Sequence, residues 1–172
     1  ETIENRSKGL ITFIDAYREY TSLPHPKIKT VRMQTLLEKV SQLMKPEFKS
    51  RSIDYTYTCS SEYLTIQADD ELIEMVLINL LKNGMEALSE EPSPKIEMHG
   101  SYDEGGVKIE VIDNGAGIIP EALTNIFIPF YSTKKQGSGI GLSLSRQIMQ
   151  MHNGTLTVES EPGKNTIFTL RF

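Results

Sequence analysis

A chain of 172 residues and 19.4 kDa has room for one domain with a sizeable core and little more. Its apolar (38%) and charged (24%) fractions are those of a soluble globular protein, no apolar run approaches a bilayer span, and a net charge of −5 argues against nucleic acid as a main partner. A single cysteine, Cys59, excludes an internal disulfide and suits a reducing compartment, while the start at Glu1 with no signal-peptide pattern reads as a piece of something longer.

From Glu4 to Tyr20, Leu10, Phe13, Ile14, Tyr17 and Tyr20 recur at three- and four-residue spacing and predict an amphipathic helix. Thr21-Ser22-Leu23-Pro24-His25-Pro26 breaks it and reads as a linker. Val31 to Met44 predicts a second helix, with Met33, Leu36, Leu37, Val40, Leu43 and Met44 on its apolar side and Pro46 ending it. Ile53 to Tyr57 and Tyr63 to Ile66 read as short strands.

A long helix follows over Glu71 to Leu88, with Asp69 or Asp70 as its cap. At about 100° per residue, Asn79, Asn83 and Glu86 share one stripe with Lys82 at its edge, opposite Ile73, Leu77, Leu81, Gly84 and Leu88. That stripe is either a solvated face or a ligand face. Amide oxygens are hard ligands that Mg²⁺ accepts beside phosphate oxygens and water.

Lys95 to Tyr102 and Val107 to Ile112 alternate around Asp103-Glu104-Gly105-Gly106, a hairpin pattern. Asp113-Asn114-Gly115-Ala116-Gly117 then fits an ordinary turn. The alternative, second to the turn on these residues alone, is an acceptor carboxylate facing an exocyclic amine, with glycines that let the backbone approach a flat base. Pro120 opens a short helix.

Ile126-Phe127-Ile128-Pro129-Phe130-Tyr131 leads through Ser132-Thr133-Lys134-Lys135-Gln136 to Gly137-Ser138-Gly139-Ile140-Gly141-Leu142, where a closing helix is expected from Gly139 to His152. A Rossmann fingerprint needs its glycines right after a strand, and a Walker loop needs Gly-Lys-Ser/Thr; neither is met. What remains is a glycine-rich segment at a helix N-terminus, where an anion is favoured. An acidic domain binding a polyphosphate needs local positive charge, from Mg²⁺ and from Lys134, Lys135 and Lys82. Asn153-Gly154 reads as a left-handed cap, and a last hairpin turns at Glu161-Pro162-Gly163-Lys164-Asn165. The order predicts an α+β, two-layer sandwich: a mixed sheet with helices over one face and a nucleotide between the layers.

Taken together, Asn79…Asn83 resembles the N box, Asp113-x-Gly-x-Gly the first glycine box, Phe127…Phe130 the F box, and Gly137-x-Gly-x-Gly the second glycine box of sensor histidine kinase ATP-binding domains. These belong to the superfamily of DNA gyrase, MutL and heat-shock chaperone ATPases, with the Bergerat-type fold. The resemblance covers residues 24–172 and looks closest to the short-lid, nitrogen-regulation branch. It implies that Asp113 accepts from the adenine amine, with Gly115, Gly117 and Ile118 lining the base pocket. It further implies Mg²⁺ on Asn83 with Asn79 and Lys82 nearby, and a lid of Gly137, Ser138, Gly139, Ile140, Gly141 and Leu142 folding over the phosphates. Phe127 and Phe130 would anchor that lid by packing, and Lys134, then Lys135, would meet phosphate. Glu86 departs from the Lys or Arg that many relatives carry there, and would face Mg²⁺ waters or solvent.

The resemblance also implies partners: ATP, a histidine-bearing dimerisation domain of the same parent chain, and a response-regulator receiver domain. The parent would be a homodimer and the domain cytoplasmic, whether or not the parent is anchored in a membrane. Residues 1–23 would be a remnant of the second dimerisation helix and its linker. His25 between prolines, His99 on a strand and His152 near a helix C-terminus, where positive charge is favoured, read as structural or surface residues. The phosphoacceptor would therefore lie upstream. Rival readings are an ATP-binding regulatory module and an anti-sigma-type serine kinase.

Overall fold

The computed structural model describes residues 22–132 and 138–172. The helix expected over Glu4 to Tyr20, and Lys134, Lys135 and Gly137, lie outside the described residues.

Strand β1 (Lys29–Arg32) leads directly into helix α1 (Met33–Ser50); β2 (Asp54–Cys59) and β3 (Thr65–Ala68) precede helix α2 (Asp70–Ala87). The hairpin of β4 (Lys95–Asp103) and β5 (Gly106–Asp113) is followed by the short helix α3 (Pro120–Leu123), helix α4 (Gly141–Met151), and the hairpin of β6 (Thr155–Glu161) and β7 (Asn165–Arg171). Five strands form one sheet in the order β2-β4-β5-β7-β6, and β1 pairs with β3 in a separate ribbon. Only β2 and β4 run parallel within the five-stranded sheet. They are hydrogen-bonded neighbours joined by a crossover that contains α2, as parallel pairs require.

Alternation along the strands sends one set of side chains into the core, in rows set by the register. Gly100, Ile109, Leu170 and Leu156 form one row, and Met98, Val111, Phe168 and Val158 the next. The third row is different: Ile96, Asp113, Thr166 and Ser160. Three polar side chains on the covered face mark where the core gives way to a site. The helices pack on this face through Leu36, Leu37 and Val40 of α1, Ile73, Leu77, Leu80 and Leu81 of α2, and Ile148 and Met149 of α4, all buried. This is the layered α+β arrangement expected.

Four local expectations fail for identifiable reasons. Pro46 does not end α1; it lies inside the helix, which continues to Ser50 because buried Phe48 extends the apolar stripe of Met33, Leu37, Val40 and Met44 by another turn. Leu43 falls off that stripe and is 55% exposed. Val31 belongs to β1, where it pairs with Ile66, and not to the helix. The closing helix starts at Gly141 and not Gly139, since Gly139 holds φ +69°, outside helical geometry.

Candidate functional site

Helix α2 is held at its first turn. Asp69 caps it, its carboxylate accepting the N–H of Leu72 at 3.2 Å and, on the other oxygen, the N–H of Lys27 at 2.7 Å. Burial works to raise the Asp69 carboxyl, but the backbone N–H groups of Lys27, Leu72 and Glu71 outweigh it and hold it below the usual range. The Asp69 N–H itself donates to His152 Nε2 at 3.0 Å, while His152 Nδ1 lies 2.7 Å from the Ile148 carbonyl. Accepting at one nitrogen and donating at the other, His152 is a buried joint between α2 and α4, in line with the structural reading of this histidine.

Two turns on, α2 turns its polar stripe toward α4. Asn79 Nδ2 donates to Ser145 Oγ at 2.9 Å, and a Cβ on Gly141 would sit 2.3 Å from Asn79 Oδ1. Both contacts set the spacing of the two helices. Asn79, Lys82, Asn83 and Glu86 line a cleft of about 300 Å³ together with Ile126, Tyr131, Ser132, Ser138, Gly139, Gly141 and Leu142. A second cleft, about 380 Å³, is lined by Asn83, Glu86, Ala87, Asp113, Ala116, Gly117, Ile118, Ile119, Ala122, Ile126 and Phe168. Asn83, Glu86 and Ile126 belong to both.

Asp113 ends β5 against the small residue Gly84 of α2, where an added Cβ would meet its Oδ2 at 3.5 Å. Its Oδ1 accepts the N–H of Gly115 at 3.0 Å, and Oδ2 has no hydrogen-bond partner among the described residues. Burial pushes the carboxyl up to about 6, against the pull of the Gly115 N–H. A buried acceptor with a spare oxygen beside an apolar slot of Ile118, Ile126 and Phe168 suits a flat heteroaromatic ring carrying an amine.

Close packing, besides any approach to a base, requires both glycines. A Cβ on Gly115 would lie 2.6 Å from the Ala87 carbonyl, and one on Gly117 would lie 2.6 Å from that of Glu161. They let the loop dock on α2 and on the β6–β7 turn, where Ala116 donates to Ala87 and Gly163 donates back to Ala116. Gly117 still lines the second cleft; Gly115 does not.

The two aromatics also divide. Phe127 is half-buried with the Arg146 guanidinium 3.8 Å from its ring centroid, a cation–π contact onto α4. Phe130 is 41% exposed and does not anchor as a buried ring. Its anchor is main chain: at φ +66° its N–H donates to the Gly139 carbonyl at 2.9 Å, and a Cβ on Gly139 would strike the Phe130 backbone at 2.5 Å. Ile140 is buried in the core, fixing the far side of this bracket. Sequence reasoning missed Ser145, Arg146, Tyr131 and Phe168; for the first two, the signal was their position one turn into α4 from Gly141.

No group of three or more His, Cys, Asp or Glu side chains among the described residues could hold a metal. A cation here would depend on amide oxygen, phosphate and water, a donor set that suits Mg²⁺. No helix of the described residues is long and apolar enough to cross a membrane.

Comparison with known proteins agrees with this arrangement. Residues 68–172 match the family of histidine kinase-, DNA gyrase B- and HSP90-like ATPases. The chain is 36% identical over 145 residues to the sensor histidine kinase ZraS of Klebsiella oxytoca, covering 84% of this chain and 31% of that protein. The chain thus spans about a third of the length of such curated relatives. Among solved structures, the catalytic domain of histidine kinase ThkA superposes with a TM-score of 0.75 at 30% identity, covering 84% of this chain and 93% of that one. ThkA in complex with the response regulator protein TrrA gives 0.78 at 26% identity, over 98% of this chain and 48% of that one. The chain belongs to the histidine kinase-, DNA gyrase B- and HSP90-like ATPase family and, within it, is similar over most of its length to a histidine kinase catalytic domain.

Proposed function

We propose that this domain binds Mg²⁺–ATP across the two joined clefts and passes the γ-phosphoryl group to a histidine on a dimerisation helix of its parent chain, for relay to a response-regulator receiver. The observation that carries the reading is the sharing of Asn83, Glu86 and Ile126 by both clefts. One extended ligand would then reach Asp113 with its base while its phosphates lie by Lys82, Ser138 and the N-terminus of α4. Asp113 takes the adenine amine, and Gly117 and Ile118 border the ring. Asn83 would hold Mg²⁺, which supplies charge neutralisation when bound; Lys134 and Lys135 would add positive charge for the phosphates. In the transfer, an imidazole nitrogen attacks the γ-phosphorus, the bond to the bridging oxygen breaks, and ADP leaves with that electron pair.

Phosphoryl transfer asks the protein chiefly for positioning and electrostatics. Asn79 supports transfer over hydrolysis: where ATP-hydrolysing relatives place a Glu, this chain has an amide without useful basicity, already bonded to Ser145. In this reading residues 1–23 derive from the dimerisation hairpin and its linker. The ThkA–TrrA complex supports a receiver as downstream partner.

The test combines the domain, Mg²⁺ and γ-labelled ATP with a separate dimerisation helix bearing His followed by Glu or Asp. Acid-labile phosphate on that helix, absent from the domain alone, is expected. ATP binding without transfer would favour a regulatory module, and acid-stable phosphoserine on a partner would favour a serine kinase.

A further inference from the structure

Strand β2 ends the five-stranded sheet, with β4 on one side and no strand among the described residues on the other. The N–H groups of Asp54 and Ser60 donate to the carbonyls of Pro94 and Gly100. By the alternation of a parallel ladder, the main-chain groups of Tyr55, Tyr57 and Cys59 therefore point away from β4. None of these groups bonds to another described residue. Natural edges are commonly guarded by charge or proline. The opposite edge, β6, carries exposed Glu159 and Glu161, whereas Tyr55 to Cys59 has neither guard.

Beside the open edge lies a cleft of about 450 Å³, against the second half of α1. Its floor is aromatic: the rings of Phe48 and Tyr55 stack at 4.2 Å and 18°, and Tyr57 follows 6.5 Å from Tyr55. The floor is also fixed. Ser41 Oγ donates to the Leu37 carbonyl at 2.6 Å, so the Tyr55 hydroxyl, 2.7 Å away, donates to Ser41. Burial pushes that hydroxyl up to about 12, which keeps it uncharged. Exposed Lys45 and Lys49 stand on the helix side of the cleft, against one acid, Glu38. Lys29, Lys39, Lys95, Lys108 and Lys164 each pair with a carboxylate; Lys45 and Lys49 pair with none among the described residues.

We propose that this edge and cleft form a docking site for an extended acidic segment of a partner protein, which joins the sheet as a further strand beside β2. Main-chain bonds to Tyr55, Tyr57 and Cys59 hold the segment. Every second side chain then falls on the face that carries the Tyr55 and Tyr57 rings and enters the cleft beside α1. Apolar side chains rest on the aromatic floor, and acidic ones reach Lys45 and Lys49. Charge selects the occupant: a domain of net charge −5 repels an acidic chain in general and welcomes it where lysines stand uncompensated. The cleft shares no lining residue with the two nucleotide clefts, so the two sites fill independently.

The experiment is fluorescence anisotropy of the 172-residue chain with a labelled peptide, Asp-Asp-Val-Thr-Val-Thr-Val-Thr, and with its reversed sequence, since an edge accepts a strand in either direction. Saturable binding of at least one of the two is expected. N-methylation of alternate peptide amides, made in both registers, should weaken binding on the order of tenfold in the register that faces β2 and little in the other. Lys45→Glu combined with Lys49→Glu, at exposed positions, should leave the melting temperature and Mg²⁺–ATP affinity unchanged while weakening the peptide on the order of tenfold. A peptide with Lys-Lys in place of Asp-Asp should recover binding to that variant. No saturable binding of either peptide overturns the proposal. So does equal affinity for both N-methylated forms and the parent, or indifference to the charge reversal. A concentration-dependent dimer in sedimentation, broken by the same two substitutions, would give the edge to a second copy and overturn it as well.

Discussion

The backbone N–H of Asp69 donates to His152 Nε2 at 3.0 Å, tying the first turn of α2 to the last turn of α4. These helices carry the two sides of the cleft, so their relative position is set by this bond at one end and by Asn79–Ser145 farther along. Replacing His152 with Phe keeps a ring but leaves the Asp69 N–H buried without an acceptor. Chemical denaturation should show a loss of about 1–3 kcal/mol, and Asp69→Ala, which also removes the cap, about 0.5–2 kcal/mol. Stability within error of wild type for both variants would mean the joint carries no weight.

Asp113 gives a pH dependence with a defined sign. Its carboxyl is raised from 3.8 to about 6 in the folded, ligand-free chain. The folded state therefore holds the proton more tightly than the unfolded one. Ionisation costs stability on the order of 3 kcal/mol above about pH 6, and the cost is relieved as pH falls toward 4. Nucleotide binding moves the opposite way, because the protonated carboxyl is a poorer acceptor for an amine. ATP affinity should fall as pH drops through about 6. In Asp113→Asn, binding should be weak at every pH and the stability increment between pH 6 and 4 should disappear.

Asn83 lies where the two clefts meet, within the polar stripe of α2 and away from the buried face. Asn83→Ala should cost the fold little, since Ala is the better helix former by roughly half a kcal/mol. It should abolish the dependence of ATP binding on Mg²⁺. Titrations with and without the metal check this, and an intact Mg²⁺ effect would remove Asn83 from the site.

Gly141 faces Asn79 with no room for a side chain, since an added Cβ would lie 2.3 Å from Asn79 Oδ1. Gly141→Ala should displace the amide, break its bond to Ser145 and lower nucleotide affinity more than it lowers the melting temperature. Equal ATP affinity in the variant would show that the Asn79 amide has slack to move.

The pattern of the chain made the helices and hairpins readable where side chains repeat with a clear period. The α2 stripe opposite Ile73, Leu77 and Leu81 is one case, and the Gly106–Asp113 alternation is another. Proline punctuation misled at Pro46, since a local rule gave way to the burial of Phe48. Motif spacing brought Asp113, Gly117, Ile118, Asn79, Asn83, Lys82, Glu86, Ser138, Gly139, Gly141 and Leu142 into view, and all of them line the two clefts. Motif spacing could not supply the contacts that cross the chain. Ser145 under Asn79, Arg146 over Phe127 and the Ser160–Thr166 pair behind Asp113 depend on sheet register and helix packing, which no single stretch encodes. The exposure of Phe130 was hidden for the same reason, because its anchor is a main-chain bond.

The bond from Phe130 to Gly139 makes two fixed posts of these residues, each in the left-handed region and each seated against the domain. Whatever chain runs between such posts is tethered at both ends independently of its own length. Ring-closure entropy grows only with the logarithm of that length, about 0.6 kcal/mol per doubling. Longer or shorter inserts can therefore be exchanged at this spot while the melting temperature barely changes. The posts make whatever joins them a replaceable part, free to diversify while the fold on either side stays put.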